Sequence, residues 1–299
     1  LPEGPEVRRL VDQLQTFVFR RVGNIQAISG RYTKVPIVGL QGCLEDHYIS
    51  SFGGIEEINC KGKFIYWKIS TVGGNWYLFS TLGMTGTYKI EPDKYARIKF
   101  TFNDYDVGKY IGESYLYYCD MRNFGTMKFV NGDAELEKKL NSLGPDMLSD
   151  PCSFEDWIKI AKKRKHRSVV NFLMEQKYVS GIGNIYKSES LYLAKIDPRK
   201  KVEDLTAQEL TRLYMAVKTV LTNAYELGGS TIRNYTDLYG DPGKYTERNN
   251  ESYNHAQDEI YSTKGIMVYN QKIDPLGNEV MQLKLDDGRT TYFVPEIQQ

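Results

Sequence analysis

Apolar residues fall at positions 7, 10, 11 and 14 of the segment Glu6-Val-Arg-Arg-Leu-Val-Asp-Gln-Leu. This is the spacing of one helix face, so a short helix is expected near the N-terminus. From Gly23 to Val130 the pattern changes to alternating and β-branched runs such as Phe64-Ile-Tyr-Trp-Lys-Ile and Ala96-Arg-Ile-Lys-Phe-Thr-Phe, broken by Gly-Gly, Asn-Asp and Pro-Asp turn signals. Alternation gives a strand one apolar face, and several such strands predict a β-sandwich or barrel. Near Asn141-Ser-Leu-Gly-Pro-Asp the pattern shifts again. Ser153 to Leu227 carries helical periodicity, with Ser153, Asp204 and Thr206 as candidate N-caps. The Gly-, Asn- and Tyr-rich stretch from Gly228 to Asp258 is expected to be a long, partly mobile loop, and short strands are expected from Ile266 to Val294. The architecture expected is α+β and multidomain, divided into residues 1–140, 141–265 and 266–299, without internal repeats.

Composition narrows the class. A chain of 299 residues, 41% hydrophobic, can bury a full core, and its length favours two domains over one. No run approaches the roughly 18 consecutive apolar residues of a membrane span, and the first ten residues lack the apolar stretch of a secretory signal. A soluble intracellular protein is expected. The four cysteines at 43, 60, 119 and 152 are too widely spaced for a CxxC clamp, so no metal site is expected from them. The net charge of +1 makes no global case for nucleic acid, but between Ser153 and Tyr225 there are 14 Lys and Arg against 8 Asp and Glu. Lys159, Lys162, Lys163, Arg164, Lys165 and Arg167 are packed together there; such a run is by itself more often a solvated helix face than a DNA site.

Six short motifs change that weighting. They are Pro2-Glu3-Gly4-Pro5-Glu6, Gly62-Lys63-Phe64, Leu82-Gly83-Met84-Thr85-Gly86, Asp120-Met-Arg122-Asn-Phe124-Gly125, Gly181-Ile-Gly-Asn184-Ile-Tyr186 and Asp287-Gly-Arg289-Thr-Thr-Tyr-Phe. In this order, and spread over nearly the whole chain, they resemble the Fpg/Nei family of DNA glycosylases. The resemblance implies an N-terminal β-sandwich with flanking helices, a helix-two-turn-helix domain and a terminal zinc finger or its remnant. Where a zinc-binding relative places four cysteines, this sequence has Leu276, Glu279, Val294 and Ile297. The resemblance therefore implies a zincless finger, with three apolar side chains forming a small core in place of tetrahedral ligation. That character is similar to the Nei-like branch, in eukaryotes and in mimivirus, and implies a preference for oxidised pyrimidines.

The chemistry expected follows residue by residue. A terminal secondary amine with an ordinary pKa near 8 is roughly one-tenth free base at pH 7, so Pro2 is the candidate nucleophile. Attack on the deoxyribose C1′ would expel the damaged base and leave an iminium, which acidifies the C2′ proton and allows strand scission by β,δ-elimination. The structural alternative for Pro2 is a helix-flanking proline. The resemblance assigns Glu3 the general acid/base role and Glu6 a supporting one, although Glu6 also suits the helix dipole as a first-turn acid. Lys63 would reach a phosphate or protonate a leaving group; a lone strand lysine is otherwise simply solvated. Asn184 and Arg289 are candidate phosphate anchors, the former against the alternative of a helix cap, the latter offering bidentate donors from a hairpin. Met84, Arg122 and Phe124 would fill the gap left by an extruded nucleotide; for Met84 and Phe124 core packing is the competing role.

The expected partner is damaged DNA, double- or single-stranded, bound by a monomer that needs no cofactor. Two other outcomes are carried: an oxidised-purine glycosylase of the same fold, and a non-catalytic damaged-DNA-binding protein. The second arises because a retained Leu1 would turn the Pro2 nitrogen into a tertiary amide without a nucleophilic lone pair.

Overall fold

The structure, a computed structural model, describes residues 2–48, 54–106, 108–230, 235–246 and 265–299. Leu1 lies outside them, as do parts of the loop expected between Gly228 and Asp258. The chain divides into two compact units: residues 6–142 with Pro2 and 235–242, and residues 3–5 and 143–230 with 243–246 and 265–299.

The first unit is the expected sandwich. Helix α1 (Gly4–Leu14) has Val7, Leu10, Val11 and Leu14 fully buried, the four positions of the sequence pattern. Strands β1 (Arg21–Ala27), β5 (Gly86–Lys89), β6 (Ala96–Asp106) and β7 (Lys109–Asp120) form an antiparallel sheet in the order β1-β6-β7-β5. Strands β2 (Ile55–Lys61), β3 (Phe64–Thr71), β4 (Gly74–Thr81) and β8 (Thr126–Asn131) form a second sheet in the order β2-β3-β4-β8. Alternate residues Ile65, Trp67 and Ile69 of β3 enter the core, where Trp67 lies 5.5 Å from Tyr88 and 5.2 Å from Phe100, ring centre to ring centre. Helix α2 (Leu40–Tyr48) was absent from the sequence pattern. Its apolar residues Leu40, Cys43 and Leu44 do fall at i, i+3 and i+4, but a single turn of that spacing, with Gly42 inside it and Glu45 and Asp46 after it, does not stand out within a strand-rich segment. A short helix α3 (Asp133–Asn141) closes the unit.

The second unit holds α4 (Phe154–Lys163), α5 (Val169–Met174), α6 (Asn184–Leu193) and α7 (Ala207–Glu226). Ser153 caps α4 by accepting the Asp156 N–H, and Thr206 and Glu209 form a reciprocal capping box on α7. Asp204 is not an N-cap: it ends a 3₁₀ turn and accepts the Lys201 N–H at 3.2 Å. Ser168, not singled out in the sequence, caps α5.

Only two strands form among the described residues from 266 to 294, the hairpin of β9 (Met281–Lys284) and β10 (Thr290–Phe293). The expected strand near Ile266 is replaced because the N–H groups of Met267, Val268 and Tyr269 donate to the buried Glu189 carboxylate, at 2.7, 2.9 and 2.8 Å. The small apolar core expected at the finger is also replaced. Val294 is buried, but Leu276 is 37% exposed and Glu279 faces solvent. Polar groups close the loops instead. Asp274 accepts the N–H groups of Leu276 and Asn278 and the Tyr192 hydroxyl, while Gln298 accepts the Val294 N–H and donates to the Ile196 carbonyl.

Candidate active site

The candidate residues fall into two groups, one in each unit. In the sandwich unit Pro2 is buried and lines a cavity of about 300 Å³ together with Met84, Thr85, Tyr95, Cys119 and Tyr235. Cys119 is the rival nucleophile on that wall, but burial pushes its thiol up to about 11, which leaves negligible thiolate at neutral pH. Met84 is half-buried, and it reaches this cavity from the turn between β4 and β5. Arg122 and Phe124 are exposed, Phe124 by 53%, and the guanidinium carbon lies 4.7 Å from the Phe124 ring centre. Core packing is therefore not their role.

One residue outside the candidates holds these loops together. Asp120, 1% exposed at the end of β7, accepts the Thr85 hydroxyl at 2.5 Å, the Arg122 N–H at 3.2 Å and the Gly125 N–H at 2.8 Å. A single carboxylate thus ties the Met84 turn to the Arg122–Phe124 loop. Gly83 makes the approach possible: its φ is 57°, and a Cβ there would come within 2.7 Å of the backbone at Phe124 and Gly125. Asp120 was part of a motif, but only the contacts distinguish a buried acid that organises two loops from an exposed one. Lys63 lies half-buried beyond Gly62 in the β2–β3 turn and does not line the Pro2 cavity. Glu6 is fully buried, and its backbone carbonyl accepts the Tyr235 hydroxyl at 3.0 Å.

In the second unit, Glu3, Asn184 and Arg289 gather at the start of α6. The Glu3 carboxylate, 2% exposed, accepts the N–H groups of Ile185 and Tyr186 at 3.1 and 3.4 Å. These are orphan donors of a helix first turn, so the positive end of α6 holds the acid in place. The segment is anchored next door, where the Gly4 N–H donates to the Gly181 carbonyl at 2.8 Å. A Cβ on Gly4 would meet Gly181 at 3.0 Å, so the glycine serves this backbone approach. Asn184 is the first residue of α6 and makes no side-chain cap; its amide nitrogen donates to the Thr290 carbonyl at 2.9 Å, and its Oδ1 is buried without a protein partner. Arg289 is exposed in the β9–β10 connection, next to Thr290.

No group of three or more His, Cys, Asp or Glu among the described residues is placed to hold a metal ion, and no described helix is long and apolar enough to cross a membrane. None of the four cysteines is in a disulfide.

Comparison with known proteins covers the whole chain. Residues 1–127 match the formamidopyrimidine-DNA glycosylase N-terminal domain, residues 143–236 its H2TH domain and residues 262–299 its C-terminal domain. The formamidopyrimidine-DNA glycosylase of Lactococcus lactis subsp. lactis is 31% identical over 304 residues, with both chains covered completely. A Lactococcus lactis FPG mutant solved with Fapy-dG-containing DNA is 28% identical with a TM-score of 0.77. MutM solved with DNA containing carbocyclic 8-oxo-G is 27% identical with a TM-score of 0.76; each structure is covered completely, as is this chain. These matches overturn the assignment to the Nei-like, mimivirus-like branch and the preference for oxidised pyrimidines attached to it. The physical reason is visible in the tail. A tail without cysteines at Leu276, Glu279, Val294 and Ile297 does not mark that branch; here the hydrogen bonds of Asp274 and Gln298 close its loops.

Proposed function

Because the chain belongs to the formamidopyrimidine-DNA glycosylase family, we propose that it excises oxidised purines, of the kind represented by Fapy-dG and 8-oxo-G, and nicks the strand at the resulting abasic site. It is a DNA N-glycosylase and AP lyase acting through a Schiff base, and its partner is damaged DNA.

The observation that carries the residue assignment is Pro2 on the wall of a cavity shared with Met84. The chemistry belongs to the form in which Pro2 is the terminal residue. Its nitrogen lone pair forms a bond to C1′ as the C1′–base bond breaks, the base leaving with that electron pair and taking a proton from solvent. Glu3, positioned by the α6 N–H groups, takes the proton from the Pro2 nitrogen and passes it to the sugar ring oxygen as the C1′–O bond breaks and the nitrogen lone pair forms the iminium. The iminium then lowers the barrier to loss of the C2′ proton and departure of the 3′ phosphate, followed by the 5′ phosphate. Asn184 and Arg289 are the phosphate contacts, with Lys63 as a further cation on the strand. Met84, Arg122 and Phe124 occupy the gap in the duplex, and the exposure of the last two suits that role.

The test is borohydride trapping on duplexes carrying 8-oxo-G, Fapy-dG or an oxidised pyrimidine, after mass spectrometry has verified Pro2 as the terminus. A covalent adduct is expected, formed fastest with the purine lesions. Absence of any adduct overturns the proline mechanism, and faster trapping on the pyrimidine overturns the substrate assignment. Glu3→Gln is expected to slow excision by about 10²–10⁴-fold. Cleavage of a ready-made abasic site should suffer less, because that sugar already equilibrates with its open aldehyde.

A further inference from the structure

Helix α6 has no solvated face. Nine of its residues, from Ile185 to Leu193, are buried, and two of these, Lys187 and Glu189, are charged. Glu189 is matched by the three backbone donors described above. Lys187 is matched by one group: its Nζ donates to Asp287 Oδ2 at 2.5 Å, with both side chains almost wholly removed from solvent, 0% and 2% exposed. Burial pulls the Lys187 ammonium below its usual value, and the charges of Asp287 and Glu3 oppose that pull. A desolvated pair of this kind returns little net stability, and its attested use is to fix one geometry against others.

The geometry fixed here is that of the β9–β10 connection. The second carboxylate oxygen of Asp287 accepts the Arg289 N–H at 3.0 Å, across Gly288 at a φ of 68°. On the other side of Arg289, the Thr290 carbonyl is held by the Asn184 amide at 2.9 Å. Two residues later the Tyr292 N–H donates to the Ser188 hydroxyl at 3.4 Å. Asn184, Lys187 and Ser188 are spaced i, i+3 and i+4, so one face of α6 grips the hairpin at three successive points. Arg289 lies between the first two grips, and its side chain forms no ion pair among the described residues.

We propose that Lys187 is a positioning residue for Arg289: its buried pair with Asp287 holds the β9–β10 turn on α6, so that the guanidinium is presented beside Asn184 already ordered for a DNA phosphate. This rests on Arg289 being a phosphate contact. Lys187 itself touches no DNA, and its effect on binding passes through Arg289.

Binding of a duplex carrying a tetrahydrofuran abasic analogue, followed from about 50 to 200 mM salt, tests this. Lys187→Met and Arg289→Ala should each weaken binding by about tenfold and lower the slope of log affinity against log salt by about 1. The double variant should bind no more weakly than Arg289→Ala alone. Lys187→Met leaves Asp287 buried without its partner; if it fails to fold, Lys187→Met with Asp287→Leu removes both charges together and should still show the lowered slope. Lys187→Arg should restore part of the slope. If the losses from Lys187→Met and Arg289→Ala add, or the Lys187 variants lose affinity with an unchanged slope, Lys187 is merely structural and the proposal is overturned. If Arg289→Ala alone changes neither affinity nor slope, the phosphate role of Arg289 fails and the proposal falls with it.

Discussion

The β-sandwich and helix α6 fill their interiors by opposite means. Between the two sheets the centre is occupied by rings, with Trp67, Tyr88 and Phe100 in mutual contact and Tyr118 against Tyr88. Along α6 the consecutive residues Lys187, Ser188, Glu189 and Ser190 are all fully buried. Burial of rings is favourable in proportion to area and indifferent to direction, whereas burial of polar groups costs free energy unless they are hydrogen-bonded. Lys187 and Glu189 are matched, and the Ser190 hydroxyl, which meets no protein partner, is the exception. The sandwich core should therefore tolerate exchanges that keep volume, and α6 should not tolerate exchanges that keep volume but alter hydrogen bonding. In return, the polar interior places a short tail in one arrangement.

Four expected outcomes sharpen or break this contrast, and stability by urea unfolding measures the first three. The largest effect is expected from Trp67→Ala, which leaves a cavity between the sheets and should cost about 3–5 kcal/mol; a cost below 1 kcal/mol would mean that the rings do not carry the core. Next is a pair of near-isosteric exchanges. Glu189→Gln keeps size but offers one acceptor oxygen where three N–H donors need two, and should cost about 2–3 kcal/mol. Trp67→Phe loses some volume together with an indole N–H that has no partner, and should cost less, below about 2 kcal/mol. A reversal of that order would break the contrast. Leu276→Ser, at a position exposed rather than in an apolar finger core, should fall within about 0.5 kcal/mol of the parent.

The last outcome concerns pH. Burial pushes the Glu209 carboxyl up, but Lys200 at 2.7 Å and the backbone and hydroxyl of Thr206 more than offset this, so the group lies below its ordinary value of 4.5. The folded state binds this proton more weakly than the unfolded state. The stability it contributes is complete above about pH 4.5 and is lost as pH falls from there through the folded value. Thermal melts between pH 3 and 6 should show a shallower acid limb for Glu209→Gln, and an unchanged limb would remove Glu209 from the account.

What could be seen in the sequence follows the same division. Helix α1 and the strands were legible because apolar spacing reports burial directly, as with Val7, Leu10, Val11 and Leu14. Helix α2 was not, since its helical spacing, Leu40, Cys43 and Leu44, lasts one turn and lies among strand patterns. Pro2, Glu3, Asn184 and Arg289 were candidates through motifs, and the structure places Pro2 on a cavity wall and the other three near the start of α6. Asp120 and Lys187 were not singled out, because a buried charged residue and a solvated one look alike until the partner, 35 residues away for Thr85 and 100 for Asp287, is folded against it. The same blindness produced the wrong branch. Absent cysteines were visible at Leu276, Glu279, Val294 and Ile297, whereas Asp274 and Gln298, whose hydrogen bonds close the loops of the tail, have no visible mark.

The capture of residues 267–269 by Glu189 has a consequence for motion. Terminal segments ordinarily fray and exchange their amide hydrogens rapidly, on the low-stability end of a protein's opening spectrum. Here three amides of the tail are locked to a carboxylate on a helix with nine of its ten residues buried, so they can open only when that carboxylate or the helix moves. The hydrogen clock of this tail is therefore set by α6. In exchange measurements residues 267–269 should keep time with the interior of the helix, many minutes behind the exposed edge of the hairpin at Met281 and Gln282.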